Sequence, residues 1–138
     1  MPNTVKPIPE GFHTVTPYLV LHDAGKAIEF YKRAFNATER VRMDSPTGKV
    51  GHAELKIGDS IVMLADEMPG VATRSPQSLG GTSSGIMLYV KDVDSAFQRA
   101  IDAGAKVEAR LQDMFWGDRY GKLAAIAKMG EPRTRTAT

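Results

Sequence analysis

The chain repeats itself at an offset of 69 residues, and this repeat restricts the possible folds more than any other feature of the sequence. Under that offset Leu19 meets Leu88, Asp23 meets Asp92, and Ala27 meets Ala96. Glu39 then meets Glu108, Asp44 meets Asp113, Gly48 meets Gly117, and Ile57 meets Ile126. The surrounding pattern agrees as well. In each copy an apolar, strand-like run ends in Asp, a helical pattern follows, and further strands come after it. A unit this small cannot bury a sheet face alone, so two copies must pack together. The space between them is where a function would sit.

The first module covers about residues 13–65. Val15 to Leu21 reads as a strand, with Pro17 near its start as on a sheet edge. Asp23 is a candidate N-cap, and Ala27, Ile28, Tyr31, Ala34 and Phe35 recur at helical spacing up to Asn36. Thr38 to Met43, Val50 to Ile57 and Ser60 to Ala65 read as strands, joined by turns at 45–48 and at Gly58-Asp59. In the second of these His52, Glu54 and Lys56 alternate with Ala53, Leu55 and Ile57. Residues 66–84 are rich in Gly, Pro, Ser and Thr and form a linker, a connector or functional loop by its length.

The second module covers about residues 85–127. Ile86 to Val90 is its first strand, and Asp92 or Asp94 caps a helix carrying Val93, Phe97, Ala100 and Ile101 up to Gly104. Lys106 to Leu111 and Arg119 to Ala127 read as strands around the turn at Phe115-Trp116-Gly117-Asp118. The offset then places a last strand on Met129 to Thr134, where Gly130 and Pro132 argue against one. The eighth strand is expected to be atypical or missing, with residues 128–138 an atypical tail. The fold class expected is α+β, with two βαβββ modules forming a cupped mixed sheet in a single domain, 1–138.

A chain of 138 residues without cysteine can build a core that needs no disulfide, which fits a reducing compartment. A net charge of +2 with interspersed signs excludes an electrostatic nucleic-acid binder, and no nucleic-acid motif is present. The apolar runs are too short to span a bilayer, and the proline-bearing N-terminus does not read as a signal peptide. The expected location is cytoplasmic, with no nucleic-acid or membrane partner.

Five segments carry a family resemblance. They are Val15-Thr16-Pro17-Tyr18-Leu19-Val20, Ala27-Ile28-Glu29-Phe30-Tyr31-Lys32, the run from Gly51 to Asp59, the run from Leu88 to Asp94, and Phe115-Trp116-Gly117-Asp118-Arg119-Tyr120-Gly121. In order and spacing the chain resembles the vicinal oxygen chelate superfamily of glyoxalases, bleomycin-resistance proteins and dioxygenases, and within it the small PhnB-like, glyoxalase-like bacterial members. The likeness ends at Ala124, where such members continue into an Asp-Pro-Phe-Gly-His turn and a last apolar strand. It implies a cavity completed by pairing modules, often across a homodimer.

Metal-dependent members place a His, Gln or Glu on each of four strands. On this chain those positions fall on Thr16, on Met63 or Leu64, on Gly85, and on an eighth strand that is not recognisable, with Glu131 nearby. None is a good ligand, so no metal site and no cofactor are expected. His52 and Glu54 share a strand face, but two groups are too few for a closed site.

Strand parity then gives the pocket. Tyr18 and Val20 face the cavity with Thr16; Met87 and Tyr89 face it with Gly85; Leu19, Leu21, Ile86, Leu88 and Val90 pack under helices. The candidate ligand-binding residues are therefore Tyr18, His52, Glu54, Met87, Tyr89, Trp116 and Arg119, with no catalytic residue assigned. Trp116 is a lid or a dimer plug, and Arg119 is either a carboxylate or phosphate clamp or the partner of Asp118 or Glu108. For His52 and Glu54 the bland alternative is a solvated polar edge, and for Met87 it is a core residue. The function expected is metal-independent small-molecule binding of the bleomycin-resistance type. The alternative is a metal-dependent glyoxalase-type lyase or isomerase, or a dioxygenase, with His52 and Glu54 among the ligands.

Overall fold

A computed structural model describes residues 5–125 together with the backbone of residues 134–137. The first module is β1 (Tyr18–Leu21), α1 (Ala24–Phe35), β2 (Thr38–Asp44), β3 (Val50–Ile57) and β4 (Ser60–Asp66). After a connector holding α2 (Pro76–Leu79), the second module is β5 (Gly85–Met87), α3 (Val93–Asp102), β6 (Lys106–Asp113), β7 (Arg119–Ala125) and β8 (Thr134–Ala137). The sheets have the same topology, β1-β4-β3-β2 and β5-β8-β7-β6, each with one parallel pair at the β1 or β5 edge. The expected α+β class with two βαβββ modules is the one observed.

The sequence repeat survives as repeated hydrogen bonds. The Asp23 carboxylate accepts from Lys26 N–H at 3.2 Å, and the Asp92 carboxylate accepts from Ser95 N–H at 3.1 Å, so both helices start on the same cap. In the first β-turn Ser45 N–H donates to Lys49 O and Gly48 N–H to Ser45 O; in the second, Met114 N–H donates to Asp118 O and Gly117 N–H to Met114 O. Every one of these pairs is related by the offset of 69. Gly48 and Gly117 sit at φ +83 and +100, a backbone region that favours glycine, which is why this identity persists.

Three boundaries differ from expectation. The eighth strand is present: β8 pairs parallel with β5 and antiparallel with β7, and it starts at Thr134 rather than at Met129. The strand has four residues against the seven of β4. Residues 126–133, including Glu131 and most of the expected tail, lie outside the described residues. β1 starts at Tyr18, so Thr16 and Pro17 precede it, although Pro17 O still accepts from Met63 N–H at 2.9 Å. β5 ends at Met87, because its ladder with β8 runs only from Gly85 to Met87. The connector is not structureless: the Glu67 carboxylate accepts from Ser75 N–H at 2.8 Å and Ser78 Oγ–H at 2.7 Å, and Ser75 caps α2.

Each helix covers one face of its own sheet. Ala24, Ala27, Ile28, Tyr31 and Ala34 of α1 pack on the buried set Ala53, Leu55 and Leu64, and burial pushes the Tyr31 phenol up to about 12. In the second module Phe97 and Ala100 of α3 belong to the same core, with Leu123 and Ala125 of β7. The two helices pack on one another. Arg99 of α3 ties that contact, donating from Nε to Arg33 O at 3.0 Å and from Nη2 to Asn36 Oδ1 at 3.4 Å, at the C-terminal end of α1. Among the described residues α1 and α3 lie on one face of their sheets, and the candidate residues of β1 and β3 stand on the opposite face.

Candidate functional site

The register of β3 and β4 separates the faces. Ala53 pairs with Leu64 and Leu55 with Val62, all buried toward α1. His52 and Glu54 therefore point to the open face, where Glu54 pairs with Met63, and Met63 pairs in turn with Tyr18 of β1. Strand alternation in the sequence placed His52 and Glu54 on one face of their strand and Tyr18 toward the cavity, and the structure brings the three into contact. Tyr18 Oη lies 3.1 Å from His52 Nδ1, and His52 Nε2 lies 3.1 Å from Glu54 Oε2. The ring centroids of Tyr18 and His52 are 5.7 Å apart. The imidazole and carboxylate are largely buried, at 22% and 15% exposure, whereas Tyr18 is half exposed at 50%. Neither His52 nor Glu54 is among the residues lining the clefts described below.

The other candidates stand apart from that array. Met87 is half exposed at the end of β5. Tyr89 lies beyond β5 and is 82% exposed, so it does not stand on a strand as expected, because the β5–β8 ladder has already ended, although it borders the cleft between the modules. For the same reason Val90 is exposed and Leu88 only half-buried rather than packed under α3. Trp116 sits on the β6–β7 turn, donates from Nε1 to Asp118 Oδ2 at 2.9 Å, and meets Phe115 and Tyr120 edge-on. Arg119 is engaged on the helix side of its sheet. Its guanidinium forks onto Asp94 at 2.9–3.2 Å and reaches Asp113 at 3.2 Å. Those two carboxylates, Asp94 first, hold its pKa above the ordinary value. The expected alternatives of Asp118 or Glu108 as its partner give way to Asp94 and Asp113. Asp94 sits in the first turn of α3, which no local spacing pairs with residue 119.

Between the modules runs a cleft of about 640 Å³, lined by the lead-in to β1 (Val15, Thr16), by Phe35 and Ile57, by Met87 at the end of β5 and by Tyr89 beyond it. A second space of about 280 Å³ continues along β1 past Tyr18 and Val20 beneath the connector. A third, about 240 Å³, lies beside Tyr89, Tyr120 and Arg119. The first falls in the size range of small-molecule pockets. Sequence reasoning missed Phe35 and Ile57 as lining, because their spacing reads only as core.

The whole-chain comparison is decisive at this point. The profile of the Glyoxalase/Bleomycin resistance protein/Dioxygenase superfamily matches residues 11–130. The chain belongs to this superfamily. The uncharacterized protein Mb0911c of Mycobacterium bovis is 50% identical over 113 residues, covering 80% of this chain and 74% of the relative. Among solved structures, TioX from Micromonospora sp. ML1 superposes with a TM-score of 0.67 at 25% identity, over 91% of this chain and 97% of that one. The fosfomycin resistance protein FosX from Listeria monocytogenes, solved with Mn(II) and sulfate, superposes with a TM-score of 0.59 at 14% identity over 91% of each chain, a likeness of fold alone.

The metal positions of the superfamily can be tested on donor chemistry. Thr16 precedes its strand, Leu64 is fully buried toward α1, Met63 offers a thioether, and Gly85 has no side chain. The β8 residues are Thr134, Arg135, Thr136 and Ala137, without an imidazole or carboxylate. This set does not fit a Zn, Mn or Fe site, which needs nitrogen, carboxylate or thiolate donors. Among the described residues no three His, Asp or Glu side chains converge.

Proposed function

We propose that this protein binds a small molecule without a metal, as a sequestering or carrier member of its superfamily, with the ligand between the modules beside Tyr18. The observation that carries this reading is the donor set. The positions that hold metal in metal-dependent members are Thr16, Met63 and Gly85 here, while His52 and Glu54 are already bonded to each other. A cleft of about 640 Å³ with apolar walls and few polar tips supports it.

The site is completed by a second copy. β1 and β5 are edge strands of their sheets, and Val15, Tyr18, Met87, Tyr89 and Phe115 are exposed nearby or on the adjacent turn. Apolar surface beside an open edge is a contact that monomers avoid. Light scattering at micromolar concentration is expected to give twice the chain mass.

The test is a thermal-shift screen of planar aromatic and anionic small molecules. A ligand that raises the melting temperature is expected to be recovered unchanged, and Tyr18→Ala is expected to weaken its binding at least tenfold. Conversion of the ligand on addition of Mn(II) would favour the second reading, metal-dependent lyase, isomerase or dioxygenase chemistry, which the Mn(II)-bound FosX fold keeps in view.

A further inference from the structure

We propose that Tyr18, His52 and Glu54 form a proton relay, and that the ligand is a weak O–H acid, a phenol or an enol, that gives its proton to Tyr18. This rests on the small-molecule reading above and adds the chemistry of the bound molecule. The direction of the relay follows from donor and acceptor capacity. An ionised Glu54 carboxylate only accepts, so His52 Nε2 carries the proton in the 3.1 Å contact. A neutral imidazole then has a bare lone pair on Nδ1, and the Tyr18 hydroxyl donates to it at 3.1 Å. The sequence of carboxylate, imidazole and hydroxyl is the arrangement that activates a hydroxyl in triad chemistry.

The surroundings favour a relay over a solvated cluster. Met43 stands across from His52, and Val41 and Met63 stand across from Glu54, so the residues paired directly with the two are apolar. The array bridges β1 and β3 over the intervening β4, and only its Tyr18 end is half exposed. That end borders the space of about 280 Å³ beside the inter-module cleft. The step balances as a single proton transfer. The ligand O–H bond breaks as Tyr18 Oη takes that proton. Tyr18's own proton passes to His52 Nδ1. The ligand is left as an anion and His52 as an imidazolium beside Glu54. No electrons are exchanged. Tyr18 touches the ligand; His52 and Glu54 are positioning residues.

Two measurements test this on the full chain. The first is imidazole nitrogen NMR on labelled histidine, with His52→Gln to identify one of three signals. The expected His52 state is neutral with the proton on Nε2; a proton on Nδ1 would overturn the relay. The second uses 4-nitrophenol, whose ionisation is read by colour while its binding is read by calorimetry. Bound probe is expected to show a phenolate-to-phenol ratio on the order of tenfold above that of free probe at the same pH, one unit of pKa. Tyr18→Phe, His52→Gln and Glu54→Gln should each lose that excess. Binding with no excess ionisation, or with the same excess in His52→Gln, overturns the relay and leaves the binding reading intact. No binding of the probe overturns the phenolic class, and an empty thermal-shift screen beside it overturns the binding reading itself.

Discussion

Asp66 is a buried carboxylate at the end of β4 whose two oxygens accept from Ala24 N–H at 2.8 Å and Val50 N–H at 2.7 Å. It joins the first turn of α1, whose free N–H groups favour an anion, to the start of β3. Asp66→Ala leaves two buried donors unsatisfied and is expected to cost on the order of 3 kcal/mol, measured by denaturant unfolding. Gly121 makes the opposite demand. A Cβ there would lie 2.6 Å from Phe97 Cε2 and 3.0 Å from Leu111 Cδ2, both side chains packed between α3 and the sheet. Gly121→Ala is therefore expected to destabilise by roughly 1–3 kcal/mol, with the near-ultraviolet signal of the aromatics altered. The caps Asp23 and Asp92 are legible in the sequence, since a cap needs only its own helix. Asp66 and Gly121 are not, because their demands come from residues up to 42 positions away.

At the scale of elements, α3 carries a pH response. The Asp92 carboxylate accepts from Ser95 Oγ–H and Ser95 N–H, and these bonds hold its pKa below the ordinary 3.8. A depressed folded pKa contributes stability above the unfolded value, and that contribution is lost as pH falls through the folded value. Asp92→Asn keeps the cap but cannot titrate. The expected outcome is that the wild type loses more stability than Asp92→Asn between pH 5 and pH 2, tracked by denaturant midpoints. Helices and inner strands are legible from periodicity, as for α1 and β3. The edge strands β1 and β5 read too long, because strand propensity in residues 15–17 and 88–90 does not reveal where a partner ladder stops. β8 reads as atypical or missing because Gly130 and Pro132 fall at its expected place, and only its pairing with β5 and β7 locates it at Thr134–Ala137. Arg99 joins α3 to α1, and Arg99→Ala should loosen the two modules, seen as faster amide exchange at the C-terminal turn of α1.

The whole molecule is two copies of one unit whose uncovered sheet faces carry its polar groups. The first module brings together Tyr18, His52 and Glu54, of which alternation had placed only His52 and Glu54 on one strand face. The second carries Met87, Tyr89 and Trp116 at or beyond the ends of its strands, and turns Arg119 onto Asp94 and Asp113. The sequence could show which residues share a face but not which side chains already hold one another, since that depends on pairing across three strands. The central claim is that this member works without metal, and its most direct test is divalent metal content by elemental analysis, followed by titration with Ni, Zn, Mn and Fe(II). The account predicts no ion held at micromolar affinity and no change in melting temperature. About one tight ion per chain, lost in His52→Ala, would contradict it.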